Sequence, residues 1–138
     1  MSKLLVIGCG GVASVAIQKC CQNHETFPEL CIASRTVSKC DALKAKLEGQ
    51  GTPVKITTAT VNADDVEDIK RVITAFQPDL VLNVALPYQD LTIMDACLVC
   101  GVDYVDTANY EPENTDDPAW RAVYEKRCKE DGFTAYFD

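Results

Sequence analysis

Short unbroken apolar runs alternate along this chain with longer stretches in which apolar residues recur every three or four positions. Lys3-Leu4-Leu5-Val6-Ile7 and Leu30-Cys31-Ile32-Ala33 are of the first kind, as is Leu80–Ala85 but for the polar Asn83, and runs of that length read as strands of a parallel sheet buried on both faces. Val54–Val61 is rich in β-branched residues and alternates with polar ones, which suits a strand at the sheet edge. Val102–Thr107 reads as a fifth strand. Helical spacing links Val12, Val15, Ala16 and Cys20 and fails around Asn23-His24, where His24 is placed to meet the final carbonyls. A second helix spans Val37–Glu48 with Cys40, Leu43 and Leu47 on one face. A third runs through Ile69, Val72, Ile73 and Phe76 with Asp64 as its N-cap, and a fourth covers Leu91–Cys100 and ends at Gly101. Beyond a polar loop at Pro112–Pro118 the pattern predicts a last helix, Ala119–Lys129, and the start of a strand at Phe133–Phe137. Such regular strand–helix alternation predicts an α/β fold, a doubly wound parallel sheet of order 3-2-1-4-5 with helices on both faces. With no repeat or linker, residues 1–138 read as one domain.

Composition narrows the partners. The chain has 138 residues, 47% of them hydrophobic, and a formal net charge of -8, which argues for a packed core and against nucleic acid or an anionic membrane as partner. No apolar run approaches the ~20 residues of a membrane span, and no signal-peptide pattern opens the chain, so a cytoplasmic location is expected. In that setting the eight cysteines read as reduced thiols, mostly small core residues. Cys97 and Cys100 form a CxxC inside a helix with no second pair, which favours packing over a metal, and no metal is expected. His24, the single histidine, lies at a helix end, away from the glycines described next.

Gly8-Cys9-Gly10-Gly11-Val12-Ala13 follows the first strand and opens the first helix. The order matches the dinucleotide fingerprint GxGxxG/A of Rossmann domains. There Gly8 makes the tight turn, Gly10 lets the backbone approach a pyrophosphate, and Ala13 allows close packing of helix on strand. The helix N-terminus then receives the phosphates without a basic side chain. A purely structural glycine turn is the competing reading. After the second strand, NAD-binding units place an acid for the adenosine ribose, but none occurs from Leu30 to Thr36. Arg35 can instead pair with a 2′-phosphate or stack on adenine, with hydroxyls from Ser34 and Thr36 beside it. The expected cofactor is therefore NADP(H) in preference to NAD(H). The competing reading has Arg35 solvated and Ser34 or Thr36 capping the next helix. Backbone contact with adenine from Ala63 or Asp64 is open, and Asn83 to Pro87, at the carboxyl end of the fourth strand, are expected to border the ribose and nicotinamide half, with Asn83 as a simple turn former the competing reading.

Taken together, Val6–Ala13, Ile32–Thr36, Asn62-Ala63-Asp64, Asn83–Tyr88 and Tyr104–Glu111 resemble the N-terminal NADP-binding domain of the saccharopine dehydrogenase family, and most of all its carboxynorspermidine synthase branch. The resemblance implies that Gly8, Gly10, Gly11 and Val12 hold the pyrophosphate and that Ser34, Arg35 and Thr36 hold the 2′-phosphate. It also implies that Asn83, Val84, Ala85 and Pro87 line the nicotinamide side and that Asn109 and Tyr110 edge the substrate cleft. It points to no catalytic acid or base. Family members reduce an imine formed between an amine and a carbonyl compound; in this branch the partners are aspartate β-semialdehyde and a diamine, a step of polyamine synthesis. A saccharopine dehydrogenase-type enzyme of lysine metabolism and an NADP(H)-sensing module without turnover are the alternatives. The family's substrate-binding and dimerisation region lies beyond this chain, so any homodimer is expected to form through that region. A short-chain dehydrogenase fits less well, because Tyr88, Tyr104, Tyr110 and Tyr124 lack a lysine four residues on.

Overall fold

Five parallel strands lie side by side in the order β3-β2-β1-β4-β5, the order that the alternation predicts, in a computed structural model that describes residues 2–107. Along the chain these are β1 (Lys3–Ile7), α1 (Gly11–Gln22), β2 (Glu29–Ser34), α2 (Val37–Gly49), β3 (Lys55–Thr60), α3 (Val66–Phe76), β4 (Leu80–Asn83), α4 (Asp90–Cys100) and β5 (Asp103–Asp106). The helix expected at Ala119–Lys129 and the strand at Phe133–Phe137 fall outside the described residues.

Side chains alternate across the sheet and divide the core in two. On one face Leu4, Val6, Leu30, Ile32 and Ile56 pack against Ala13 and Ile17 of α1 and Cys40, Leu43 and Leu47 of α2. On the other, Leu5, Ile7, Cys31, Ala33 and Val81 pack against Ile69, Val72 and Ile73 of α3 and Ile93, Ala96 and Cys97 of α4. The strands of this doubly covered sheet carry the continuous apolar runs from which they were predicted, and β3 at the margin carries the alternating one.

Three local expectations are corrected. Helix α1 does not bury Val12 and Val15, which are 65% and 60% exposed; Ala13, Ile17 and Cys21 face inward instead. Apolar residues stand on both sides of this helix, and the glycine turn decides which side meets the sheet. It brings down Ala13, whose methyl group allows close approach, as the fingerprint rather than the periodicity implied. Helix α3 is capped by Asp65, not Asp64: the Asp65 carboxylate accepts from the backbone N–H groups of Glu67 at 2.9 Å and Asp68 at 3.4 Å. At the end of α1 the Asn23 amide, not His24, donates to the Lys19 carbonyl at 2.8 Å. Gly101 terminates α4 with φ +66°, the left-handed conformation expected of a glycine there.

The amino edge of the sheet is closed by charge. Lys3 donates its backbone N–H to Asp79 Oδ2 at 2.7 Å and its Nζ to the Phe76 carbonyl at 2.6 Å. The same Nζ lies 4.6 Å from the centre of the Phe76 ring and 3.9 Å from Glu29, which also meets Lys55 at 3.8 Å. This network ties β1 to the α3–β4 connection and to both strands on its other side.

Candidate functional site

The carboxyl ends of the strands converge on one cleft. Backbone bonds carry the ladder one residue past the strands, with Gly8 N–H donating to the Ala33 carbonyl at 2.8 Å and Val84 N–H to the Ile7 carbonyl at 2.9 Å. Strand order reverses between β2 and β4 on either side of β1, and such a switch point is where open α/β sheets bind ligands. A cavity of about 320 Å³ opens there, bounded by Gly8–Gly10 after β1, Ser34 and Arg35 after β2, Val61 and Ala63 after β3, and Val84–Leu86 with Gln89 after β4.

The glycine turn has two different requirements. Gly8 has φ +117°, and a Cβ there would lie 2.7 Å from the Val84 carbonyl oxygen, so both conformation and space demand glycine. Gly10 has no such neighbour, since nothing lies within 4 Å of where its Cβ would be. It is the N-cap of α1, with no side chain capping the helix and no acid in the first turn. The first-turn N–H groups and the positive end of the helix dipole thus open on the cleft beside free space, a fit for an anion. Cys9, also at the cleft, is no nucleophile at neutral pH: burial, then the neighbouring Cys40, pushes its thiol up to about 11.

At the β2 end the Ser34 hydroxyl donates to the Thr36 carbonyl at 3.1 Å and accepts from Cys40 Sγ at 3.2 Å, which shapes the loop. Thr36 takes the N-cap position of α2 without a side-chain capping bond. Arg35 extends over the cleft and its Nη2 donates to Asp64 Oδ2 at 2.9 Å. Asp64 Oδ1 accepts from Gln89 Nε2 at 3.2 Å, and the Asp64 N–H donates to Asn62 Oδ1 at 3.1 Å. One carboxylate therefore bridges the loop after β2 and the turn after β4.

Asn83 was expected on the cleft wall, but it lies beneath it, 2% exposed. Its amide donates to Asp90 Oδ1 at 2.7 Å and to the Tyr104 hydroxyl at 3.1 Å, while its carbonyl accepts from the Ala85 N–H at 2.9 Å. The Tyr104 hydroxyl donates in turn to Asp106 Oδ2 at 2.8 Å. Asp90 is itself 2% exposed, and its Oδ2 has no hydrogen-bond partner among the described residues. Burial first, then the nearby Asp106 charge, raises its carboxyl to about 8 against the opposing bond from Asn83. Asp90 is therefore largely protonated at neutral pH. Burial also pushes the Tyr104 hydroxyl upward. Asn83 thus fixes the Val84-Ala85 backbone from below, and Val84 and Ala85 form the wall.

Of the residues singled out from the sequence, the cleft brings together Gly8, Gly10, Ser34, Arg35, Ala63, Val84 and Ala85. Gly11 and Val12 begin α1 beside it, Pro87 opens the short 3-10 turn Pro87–Gln89, and Asp64 reaches its mouth through Arg35. Asn109 and Tyr110 lie outside the described residues. The sequence gives no role to Gln89 or Asp90, nor to Tyr104 and Asp106, although the last two lie in a stretch that carries the family resemblance. The available signal is an amide and an acid, Gln89-Asp90, opening a largely apolar helix whose other polar residues are Thr92 and Asp95. Among the described residues no cluster of His, Cys, Asp or Glu is arranged to hold a metal, and no helix is long and apolar enough to cross a membrane.

Residues 4–136 match the family model described as the saccharopine dehydrogenase NADP binding domain. The chain is 45% identical over 137 residues to a carboxyaminopropylagmatine dehydrogenase of Synechocystis sp., covering 98% of this chain and 33% of that protein. It is 34% identical over 144 residues to a carboxynorspermidine synthase of Vibrio alginolyticus, covering 95% of this chain and 34% of that protein. It thus spans about a third of the length of both relatives. Among solved structures, the apo saccharopine dehydrogenase (L-Glu forming) of Saccharomyces cerevisiae superposes with a TM-score of 0.65 at 18% identity, over 89% of this chain and 24% of that one.

Proposed function

The chain belongs to the saccharopine dehydrogenase NADP-binding domain family, and from that premise we propose that its cleft holds NADP(H) in preference to NAD(H). In this reading it serves a cytoplasmic oxidoreductase that reduces an imine formed from an amine and a carbonyl compound. The observation that carries the binding half is the pairing of an uncapped helix N-terminus beside open space at Gly10 with a guanidinium on the neighbouring loop at Arg35. The backbone of Gly10, Gly11 and Val12 would receive the pyrophosphate. Arg35, with Ser34 and Thr36, would receive the 2′-phosphate; Ala63 and Asp64 would border adenine. Val84 and Ala85, held by Asn83 and followed by Pro87, would face the nicotinamide, with Asn109 and Tyr110 toward the substrate. When bound, the reduced cofactor supplies the hydride. The chain's own part is to fix the ring's support, since the Asn83 carbonyl ties down the Ala85 N–H and Gly8 packs under Val84.

The substrate proposal leans on the relatives. Both of their names denote carboxylated derivatives of polyamine-type amines, which supports an imine of a polyamine and an aldehyde acid, in polyamine synthesis, with homodimerisation through sequence beyond the matched third. Titrating the protein with NADPH and NADH by calorimetry tests the binding half. Following NADPH oxidation by the full-length protein with aspartate β-semialdehyde and a diamine tests the reaction. Binding of NADPH with no turnover of any amine–aldehyde pair would favour a sensing module, and failure to bind either nucleotide would end the proposal.

A further inference from the structure

Arg35 does not wait for its phosphate alone. Its Nη2 already donates to Asp64 Oδ2 at 2.9 Å, so a carboxylate occupies part of the guanidinium fork that a phosphate would use. We infer that Asp64 is a specificity-determining residue: its carboxylate competes with the cofactor's 2′-phosphate for Arg35 and narrows the margin between NADPH and NADH. The inference rests on the proposed nucleotide site and deepens it.

The carboxylate is held where it competes. Gln89, only 5% exposed, donates Nε2 to Asp64 Oδ1 at 3.2 Å, and the Asp64 N–H is fixed by Asn62 Oδ1 at 3.1 Å. The helix cap is a separate duty, performed by Asp65. An anion taking the Nη2 position must displace Asp64 Oδ2. One taking the other edge of the fork shares a single positive charge with the carboxylate already there. NADH carries no 2′-phosphate and meets neither penalty, and its 2′-hydroxyl is a donor that a carboxylate accepts. The acid that NAD-binding units place after β2 thus has a counterpart here, reaching Arg35 from the loop after β3. The pair is solvated, with side chains 72% and 48% exposed, so the effect is moderate and sensitive to salt.

The test uses the full-length protein and the Asp64→Asn variant, which keeps an oxygen acceptor and removes the charge, with Asp64→Ala as a second variant and circular dichroism as the folding check. Dissociation constants are measured for NADPH, NADH and adenosine 2′-monophosphate. The expected result is that Asp64→Asn raises the ratio of the NADH to the NADPH constant by about three- to fivefold, tightens adenosine 2′-monophosphate in parallel, and loses most of the gain at high salt. An unchanged ratio, or one that falls, overturns the inference and makes Asp64 a support for Arg35 instead. If the unmodified protein binds NADPH and only the ratio fails to move, the inference alone is wrong. If it binds no nucleotide, the site itself is wrong and the inference goes with it.

Discussion

Gly8 sits directly under Val84: a Cβ at Gly8 would come within 2.7 Å of the Val84 carbonyl oxygen and 2.9 Å of the Ala85 nitrogen. Gly8 and Val84 belong to different loops, so this contact sets how closely the turn after β1 approaches the wall after β4. Gly8→Ala adds a methyl against backbone at φ +117°, where neither partner can turn aside. It should destabilise the fold by about 2–3 kcal/mol, read as a lower urea midpoint with an unchanged slope. A midpoint equal to wild type would show that the loops part freely.

Gly10 should behave in the opposite way, because no atom lies within 4 Å of its missing Cβ. Gly10→Val is expected to leave the urea midpoint nearly unchanged and to weaken NADPH by about tenfold or more, because the branched side chain fills the open space that the pyrophosphate needs and holds it away from the helix N–H groups. Unaltered affinity in calorimetry would make the turn structural only.

Arg35→Ala should weaken NADPH by about tenfold, the lower end of the range for a charged hydrogen bond, because part of the fork is already engaged by Asp64. NADH should change much less. Equal losses for both nucleotides at fixed salt would assign Arg35 to the adenine face, and no loss would make it a surface residue.

Asp65→Ala removes the cap of α3 and should cost about 1 kcal/mol of stability with the NADPH constant unmoved. Its neighbour gives the converse pattern, so the two adjacent aspartates can be told apart by a thermal melt and a titration.

Asp90 makes a prediction in pH. Its carboxyl is raised to about 8, so between the ordinary carboxylate range and that value the folded chain keeps a proton that the unfolded chain releases. The stability it contributes is full in acid and is lost as pH rises through 8. Asp90→Asn imitates the protonated acid, and its melting temperature should fall less than that of wild type between pH 5 and 9, with the variant the more stable above pH 8. Parallel profiles would place the proton elsewhere.

The strands were legible because parallel strands covered on both faces need unbroken apolar runs, and Leu4–Ile7, Leu30–Ala33 and Leu80–Leu82 supply them. The place of the glycine turn and of Arg35 at the cleft was legible because small residues after a strand, and a cation where an acid is usual, leave marks in the sequence. The inward face of α1 was not, since Val12 and Val15 repeat as regularly as Ala13 and Ile17, and only the turn's geometry chooses between them. Nor could composition separate Asp64 from Asp65. The cap is the last extended residue, at φ -121° and ψ 109°, and that is a property of backbone rather than of side chain. The fourth strand ends at Asn83 rather than Ala85, and Asn83 lies beneath the cleft wall rather than on it, because a polar residue at a strand end can turn toward solvent or toward a buried acid such as Asp90.

The clamp around Lys3 explains how an acidic chain can hold a polyanion. Lys3 begins β1 and Gly8 follows its end, so the five residues between the two sheet edges separate them by roughly 16 Å, about two screening lengths in physiological salt. Acidic groups such as Glu29 and Asp79 at the base are neutralised locally by Lys3 and Lys55 and contribute little to the field that an incoming nucleotide meets. The formal charge of -8 therefore governs solubility and encounters with other macromolecules, while the few groups at the mouth govern affinity.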